Sequence, residues 1–484
     1  MTEKEDDKKI SRRMLLLSGI LASLGGVWTY KNWERIRSAV KAPYVKYFDK
    51  RPNIIMVLLD TLRADHLGCY GYRRGISPNI DAFAKDGVQY WNTMAQSNWT
   101  LPSISSLFTS LFPHQHSAGL PIKNEIMRTP LNEKFTTLAE VLSDNGYHTM
   151  AVTGGAYVSF NAGMNKGFKE FYEINAKHDY KKGVFGNDLP LQLNKATELI
   201  LDRYRSDRFF LFLHSYECHN PLIPPKNIVD YLDPNYEGPR ITGNIFRDMA
   251  AVGKKNPDPK GLERIRTFYD AEIFFSDRLM GLFFKMLKKI GIYDDTLIIF
   301  VSDHGVEYYE HKGWRHGLLN LYEELVRVPV IIKHPKGAKK GINYDRLARL
   351  IDIMPTILID YLGFGDGDIE MEGIPLSRPL SDPRSISEAM MSDTGMRLFA
   401  MRDGDRKFII DNKRDNAELF NLTDDPAELS NIFKKFKGES EEVALYSRKA
   451  EELFLENLKE SRSKGDIKID KKSLDFLRDL GYVE

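Results

Sequence analysis

Two apolar runs of this chain each end in side chains that can bind a metal ion. Asp60 follows the run 53–59, and Asp303 with His304 follows the run 296–302. Both runs have the length and character of buried strands. Catalytic groups and ligands collect at the carboxyl ends of the strands of an open parallel sheet. The pattern therefore predicts a metal site built from segments far apart in the chain.

Each candidate ligand also has a structural interpretation. Asp60 is of the residue type that caps helix N-termini, and from its own position alone capping is favoured. Asp303 and His304 are adjacent, so on an extended strand they point to opposite faces and share an ion only where the backbone turns. Gly305 permits such a turn. An exposed Asp-His pair at the start of a loop is the equally open alternative.

Thr100 is the candidate nucleophile. It precedes a predicted helix over 101–111, and Pro102 suits the first helical turn. A hydroxyl at a helix start lies in the field of aligned backbone amides, and a metal ion bound to it would favour the alkoxide. Threonine is also an ordinary helix cap, and the local sequence by itself favours capping.

Two histidines in polar loops are candidates for contact with a reacting group. His219 lies beside Pro221, and His316 lies beside Gly317. Imidazole can stabilise an oxyanion or protonate a leaving group. A lone surface histidine is more often inert, so neither residue identifies a site by itself.

The elements that would position these groups alternate along the chain, as is typical of a layered α/β domain. Strands are predicted at 54–59, 149–153, 209–214, 297–302 and 328–332, and helices at 79–85, 101–111, 137–145, 265–290 and 347–362. We predict a mixed central sheet between helix layers over 51–384. A smaller C-terminal α+β subdomain is predicted over 385–484, with strands near 396–402 and 407–410 and a helix around 441–464.

Residues 1–50 form a segment of a different kind, an export signal or membrane anchor followed by a basic linker. Arg12 and Arg13 lie in the sequence Ser-Arg-Arg-Met-Leu-Leu, which resembles a twin-arginine signal, and no charged residue follows until Lys31. As a helix the apolar stretch is about 25 Å long, slightly short of a hydrocarbon core of about 30 Å. A buried N-terminal helix is the structural alternative. The segment predicts an exported chain, in the periplasm or on the outer face of the cytoplasmic membrane.

Composition excludes several classes of partner and site. The chain has 484 residues, with 69 Lys and Arg against 68 Asp and Glu, so its net charge of +1 gives no field for a polyanion and argues against nucleic acid. Its two cysteines, Cys69 and Cys218, cannot form a disulfide framework and are predicted to be thiols. Oligomeric state has no signal in the sequence.

Taken together, the segments resemble the sulfatase branch of the alkaline phosphatase superfamily from about residue 52 to the end of the chain. The motifs that carry the resemblance occur in order: 53–71, ending Leu-Gly-Cys-Tyr-Gly; Thr-Leu-Pro-Ser at 100–103; Pro-His-Gln-His at 113–116; His-Asn-Pro at 219–221; Tyr-Asp-Ala-Glu-Ile at 269–273, with Asp277; Ser-Asp-His-Gly at 302–305; Trp-Arg-His-Gly at 314–317; Leu-Tyr-Glu-Glu at 321–324; Arg-Val-Pro at 327–329; Asp-Pro-Ala-Glu at 425–428, with Asn431; and Leu-Gly-Tyr-Val at 480–483.

The resemblance implies an alkaline phosphatase-like fold and a metal-dependent hydrolase of sulfate or phosphate esters. It implies that one divalent cation is surrounded by Asp60, Thr100, Asp303 and His304, and that His219 and His316 contact the transferring group or the leaving oxygen. The substrate would be a small-molecule, glycan or lipid ester. These ligand types do not distinguish Zn, Mn, Ca and Mg.

The chain departs from the sulfatase pattern at several positions. Thr100 stands where a typical sulfatase has the Cys or Ser that becomes formylglycine, and threonine lacks the substitution pattern that yields the aldehyde. Ile104 replaces an expected Arg, and Thr61 replaces the second of two paired acids. A lysine expected after the strand near residue 153 is missing, with Lys123 as an uncertain substitute, and the spacing from 316 to 322 is one residue long.

These departures leave two further functions open beside the ester hydrolase. A threonine nucleophile with one early acid also resembles phosphoethanolamine transferases and lipoteichoic-acid synthases, which pass through phosphothreonine but have long transmembrane regions that are absent from this sequence. The missing acid and lysine would also fit a non-catalytic, membrane-tethered binding protein of the same fold. Retention of the four groups expected to hold the cation favours an enzyme.

Overall fold

A mixed eight-stranded sheet lies at the centre of the computed structural model, which describes residues 51–120, 128–175, 188–317, 320–379, 384–390, 397–411 and 417–433. Its strands are β1 (Asn53–Leu59), β2 (Val88–Met94), β3 (His148–Thr153), β4 (Glu170–Glu173), β5 (Phe209–Ser215), β6 (Thr296–Val301), β9 (Arg327–Lys333) and β10 (Ile342–Arg349). A two-stranded hairpin, β7 (Glu307–Tyr308) and β8 (Trp314–Arg315), precedes β9.

The helices lie on both faces of this sheet. They are α1 (Pro78–Lys85), α2 (Thr100–Thr109), α3 (Pro113–His116), α4 (Leu138–Asp144), α5 (Leu189–Arg203), α6 (Lys226–Leu232), α7 (Ile245–Val252), α8 (Pro259–Lys289), α9 (Glu323–Val326) and α10 (Ile353–Ile357). Alternate residues of β1 supply the two cores: Val57 packs with residues of α1, α5 and α8, whereas Met56 packs with residues of α2 and α4. This alternation gives the predicted sheet between two helix layers.

The strand order is β10-β2-β9-β6-β1-β5-β3-β4, and β1 is parallel to both of its neighbours. Only β9 runs antiparallel to its neighbours, β2 and β6. The register pairs Leu58 of β1 with Val301 of β6 and with His214 of β5. Because these three strands are parallel, their carboxyl ends meet at one edge of the sheet, where Asp60, Asp303 and the loop after β5 follow them.

One predicted helix begins too early. The pattern over 347–362 predicts a single helix, but Leu347 and Arg349 belong to β10, where they pair with Asn92 and Met94 of β2. Helical turns begin only at Leu350 and continue through Leu362. Pairing with β2 at the sheet edge outweighs the local helical pattern of these residues.

A second, four-stranded antiparallel sheet follows, formed by β11 (Arg384–Met390), β12 (Arg397–Asp403), β13 (Arg406–Asp411) and β14 (Ala417–Asn421). The predicted helix over 441–464 and the export segment over 1–50 lie outside the described residues. Within the described ranges, none of the helices has both the length and the apolar character needed to cross a membrane.

Candidate active site

The structure brings the four predicted ligand groups together at the carboxyl edge of the sheet. One donor atom each of Asp60, Asp303 and His304 lies within 4.8 Å of the others. Thr100, the first residue of α2, places its Oγ1 atom 3.1 Å from Asp60 Oδ2 and 3.3 Å from His304 Nε2. All four side chains are fully buried. The predicted clustering of these residues is thus present.

The contacts of Thr100 argue against the capping interpretation. Trp99 occupies the N-cap position of α2, and the Thr100 hydroxyl donates its hydrogen to the Asp60 carboxylate. That hydrogen bond polarises the O–H group toward a base. Thr100 is therefore placed as a nucleophile would be, at a helix N-terminus and in contact with an acceptor.

Asp303 and His304 reach the same point because the chain leaves β6 just before them. Backbone N–H groups of Thr61 and His304 donate to Asp303 Oδ1, at 3.3 and 3.0 Å, which directs Oδ2 into the cluster. Gly305 is required here for close packing: a Cβ atom added to it would lie 1.9 Å from the carbonyl oxygen of Glu324. The turn predicted at this glycine is thus also a point of tight backbone contact.

The donor atoms fit a divalent cation. Asp60 Oδ1 and Asp303 Oδ2 are buried and have no hydrogen-bond partner among the described residues. The Nδ1–H group of His304 donates to the carbonyl of Gly305 at 2.8 Å, which leaves the Nε2 lone pair directed at the cluster. Two buried carboxylate oxygens and one imidazole nitrogen with its lone pair exposed to them form a ligand set for a cation.

Electrostatics support the same conclusion. Burial raises the pKa of Asp60 to about 7, against hydrogen bonds that lower it. Burial, and then repulsion from Asp60, raises the pKa of Asp303 to about 7. Burial lowers the pKa of His304. Two adjacent carboxylates that resist ionisation would ionise readily once a cation lies between them.

The two other predicted histidines form a pair beside this cluster. The Nε2 atoms of His219 and His316 lie 3.3 Å apart, and the ring of His316 is centred 4.6 Å from that of His304. Burial lowers the pKa of His219 to about 3 and lowers that of His316 as well. The Nδ1–H group of His219 donates to the carbonyl of Asn220, so its Nε2 accepts the hydrogen bond from His316. The pair therefore offers neutral imidazole groups next to Thr100 and the ligand cluster.

His214, on β5, is a site residue that the sequence reasoning missed. Its buried Nε2 atom lies 3.5 Å from Asp60 Oδ2. Burial lowers its pKa to about 4. The available signal was a single histidine directly after the apolar run 209–213, at the end where β1 and β6 supply their ligands.

The structure shows the surroundings of two departures from the expected pattern. Thr61, in place of a second acid, adopts a left-handed conformation with φ of 60°, and its hydroxyl donates to the carbonyl of Asp60 at 2.7 Å. Gly154 is the first of the three residues that stand where a lysine was expected, and a Cβ atom there would lie 2.5 Å from the ring of Tyr216. The ring of Tyr216 therefore excludes a side chain at this position. Lys123 lies outside the described residues.

Residues of the Tyr-Asp-Ala-Glu-Ile motif on α8 hold the segment after β1 in place. The Tyr269 hydroxyl donates to the Thr61 carbonyl at 2.7 Å and accepts the Arg63 N–H at 2.8 Å. Asp277, in the same helix, accepts the N–H groups of Asn79 and Ile80 at the start of α1. Tyr269 thus positions the segment that follows Asp60, and Asp277 fixes the start of α1.

A second group of potential ligands, Glu307, His311 and Glu324, lies in the segment that carries His316. Both ring nitrogens of His311 are already engaged, Nδ1 with Glu324 Oε1 at 2.7 Å and Nε2 with the carbonyl of Glu428 at 3.2 Å. Glu307 Oε1 accepts the N–H groups of His311 and Gly313. This group is therefore an ion pair that joins the segment to the C-terminal sheet.

Comparisons with known proteins agree with this geometry. The sulfatase family model matches residues 52–361. An arylsulfatase of Clostridium perfringens is 26% identical in an alignment that covers 79% of this chain and 90% of that protein. An N-acetylglucosamine-6-O-sulfatase of Bacteroides thetaiotaomicron is 24% identical, over 84% of this chain and 85% of its own length.

Among solved structures, a phosphonate monoester hydrolase of Agrobacterium radiobacter superposes with a TM-score of 0.66. It is 20% identical, and the match covers 85% of this chain and 96% of that one, so it establishes the likeness of fold. The family match extends from the start of β1 through α10 and contains Asp60, Thr100, Asp303 and His304. The chain belongs to the sulfatase family and is an ester hydrolase with an alkaline phosphatase-like fold.

Proposed function

We propose that this protein is an exported, metal-dependent hydrolase of phosphate or sulfate esters that uses Thr100 as its nucleophile. The observation that carries the proposal is the 3.1 Å hydrogen bond from Thr100 Oγ1 to Asp60 Oδ2, within a cluster suited to a cation. A cation held by Asp60, Asp303, His304 and Thr100 would neutralise negative charge on the reacting group.

The side chains support a two-step reaction. The Thr100 oxygen attacks phosphorus or sulfur while its proton passes to Asp60, and the bond to the leaving oxygen breaks. The Nε2–H group of His316, which donates to His219 Nε2 in the substrate-free site, would turn its hydrogen bond to that leaving oxygen. Water then attacks the same phosphorus or sulfur, the bond to Thr100 Oγ1 breaks, and the group leaves on the water oxygen. The proton held by Asp60 returns to Thr100 Oγ1, and a water proton neutralises the leaving oxygen.

The phosphoryl reaction is the favoured one, because threonine at position 100 cannot supply the aldehyde of a typical sulfatase. Thr61 stands where a second acid was expected, and residues 154–156, Gly-Gly-Ala, stand where a lysine was expected, so these positions contribute neither charge. This site has fewer charged groups than the site of a typical sulfatase, but it retains the four candidate cation ligands. Their retention argues against a purely binding function.

A substrate panel tests the proposal. Purified protein loaded with Zn²⁺ or Mn²⁺ is incubated with an aryl phosphate monoester, an aryl phosphate diester and an aryl sulfate. We expect turnover of at least one phosphate ester, with release of free product. Turnover of the sulfate alone would contradict the phosphoryl preference, and transfer to an added alcohol in place of water would identify a transferase.

Export is tested separately through the leader. Replacing both Arg12 and Arg13 by Lys should retain the full chain inside the cell, because a twin-arginine signal is read through its paired arginines. Fractionation of cells that express the wild-type and variant chains measures this. Unchanged export of the variant would exclude the twin-arginine interpretation.

A further inference from the structure

His214 is buried beside the candidate cation ligands, and the proposed reaction assigns it no role. It lies on β5, in register with Leu58, and its side chain is fully buried. Its Nε2 atom has no hydrogen-bond partner among the described residues and lies 3.5 Å from Asp60 Oδ2. A buried polar atom without a hydrogen bond is costly, so its position beside the Asp60 carboxylate calls for an explanation.

The hydrogen bond to Nδ1 of His214 defines its tautomer. The backbone N–H of Gly154 donates to Nδ1 of His214 at 3.3 Å. Since a backbone amide can only donate, Nδ1 carries the lone pair and the ring proton of the neutral imidazole resides on Nε2. The ring of Tyr216 packs edge-on against His214, with centroids 4.6 Å apart, and fixes its orientation.

An Nε2–H group in this position acts on one oxygen of Asp60. Asp60 Oδ2 already accepts the Thr100 hydroxyl at 3.1 Å, and His214 Nε2 lies 3.5 Å from the same oxygen. Asp60 Oδ1 is left facing Asp303 and His304. A ligand nitrogen must offer its lone pair, so this tautomer of His214 is not a direct ligand of the cation.

We propose that His214 is a positioning residue that donates to Asp60 Oδ2, so that Oδ1 faces the cation and Oδ2 receives the Thr100 proton. This inference rests on the cation site of the proposed function and is independent of substrate identity. It also assigns a structural role to Gly154, whose amide sets the tautomer of His214.

Two amide variants distinguish the contribution of Nε2 of His214 from that of Nδ1. In His214→Gln the side-chain amide can donate from near the Nε2 position, whereas in His214→Asn it reaches only the Nδ1 position. Zn²⁺ binding to the purified full chain is measured by titration calorimetry, with thermal melting as the check on folding. We expect His214→Asn to weaken Zn²⁺ binding about 10- to 100-fold and His214→Gln to restore it to within about threefold of wild type.

Each outcome supports or contradicts a positioning role for His214. Wild-type affinity in His214→Asn would overturn the proposal, and equal losses in both variants would indicate a direct ligand. If the Asn variant does not fold, ¹⁵N-histidine spectra of the wild-type protein test the tautomer: Nε2 should stay protonated on Zn²⁺ loading, and a metal-bonded Nε2 would contradict us. The measurement of Zn²⁺ affinity needs no turnover, so it remains valid even if no substrate of the panel reacts. Conversely, unchanged Zn²⁺ affinity in His214→Asn would not contradict turnover that depends on Thr100.

Discussion

Thr100 Oγ1 donates to Asp60 Oδ2 across 3.1 Å, although 40 residues separate the two in sequence. This contact places a hydroxyl, its proton acceptor and a candidate cation ligand within one buried cluster. The same carboxylate has its second oxygen free of partners among the described residues. Asp60 can thus serve the nucleophile with one oxygen and the cation with the other.

Replacing Thr100 by Ala should abolish ester turnover, with a loss of about 1,000-fold or more, because it removes the attacking atom. Thr100→Ser keeps the hydroxyl and should retain measurable activity. Steady-state rates on an aryl phosphate ester distinguish the variants. Comparable rates for wild type and Thr100→Ala would show that another group attacks.

Removal of the cation should inactivate the enzyme and lower its melting temperature, since Asp60 and Asp303 would again face each other without a counter-charge. Dialysis against a chelator, followed by addition of Zn²⁺ or Mn²⁺, measures loss and recovery. Asp303→Asn should not respond to the added ion. Full activity after complete metal removal, checked by elemental analysis, would refute the cation site.

Cation affinity should rise with pH up to about 7 and then level off. The pKa values of Asp60 and Asp303 are raised by burial to about 7, so at lower pH the ion must displace protons. For the same reason the cation-free protein should lose stability as pH rises from about 4 to 7, because only the folded state holds these protons. Zn²⁺ titrations and melting curves from pH 5 to 8 measure both trends, and pH-independent affinity would contradict them.

The ion pair of His311 should give the fold a pH-dependent contribution. Burial alone would lower the pKa of His311, but the hydrogen bond and charge of Glu324 outweigh it and raise the pKa to about 9. The stabilisation is complete below pH 6.5 and is lost as pH rises through about 9. His311→Gln should therefore cost most at pH 6 and least at pH 10 in denaturant unfolding. A cost that does not vary with pH would be inconsistent with a charged His311.

Lys407 should stabilise the junction between the C-terminal sheet and the segment before β9. Its buried ammonium group lies 3.2 Å from Glu323 Oε1 and 2.9 Å from Glu428 Oε1. Lys407→Met leaves those carboxylates without this partner and should lower the free energy of unfolding by about 3 kcal/mol. Lys340→Met, at an exposed lysine paired with Asp86, is the matched control and should leave the unfolding curve unchanged. Equal curves for both variants would show that the buried network contributes no stability.

Sequence patterns predicted the parts of the site that follow strands. Asp60 and Asp303 could be recognised because each ends an apolar run, and the parallel register brings those ends together. His214 was missed because its own strand ends one residue later, so its direction toward Asp60 depends on the register between β5 and β1. The absence of a lysine after β3 was visible in sequence, but the close approach of the Tyr216 ring to Gly154 is a tertiary contact that the sequence does not show. The start of the helix predicted over 347–362 was wrong for a similar reason, since pairing with β2 extends β10 through Arg349.

The central claim is that Thr100 becomes covalently esterified during turnover. Wild-type enzyme reacting with an aryl phosphate diester is quenched with acid in the steady state, and the peptide containing Thr100 is analysed by mass spectrometry. We predict that this peptide gains one phosphoryl-ester group on Thr100, and that the addition disappears when substrate is exhausted. Turnover without any adduct on Thr100, or with the adduct on another residue, would contradict the account.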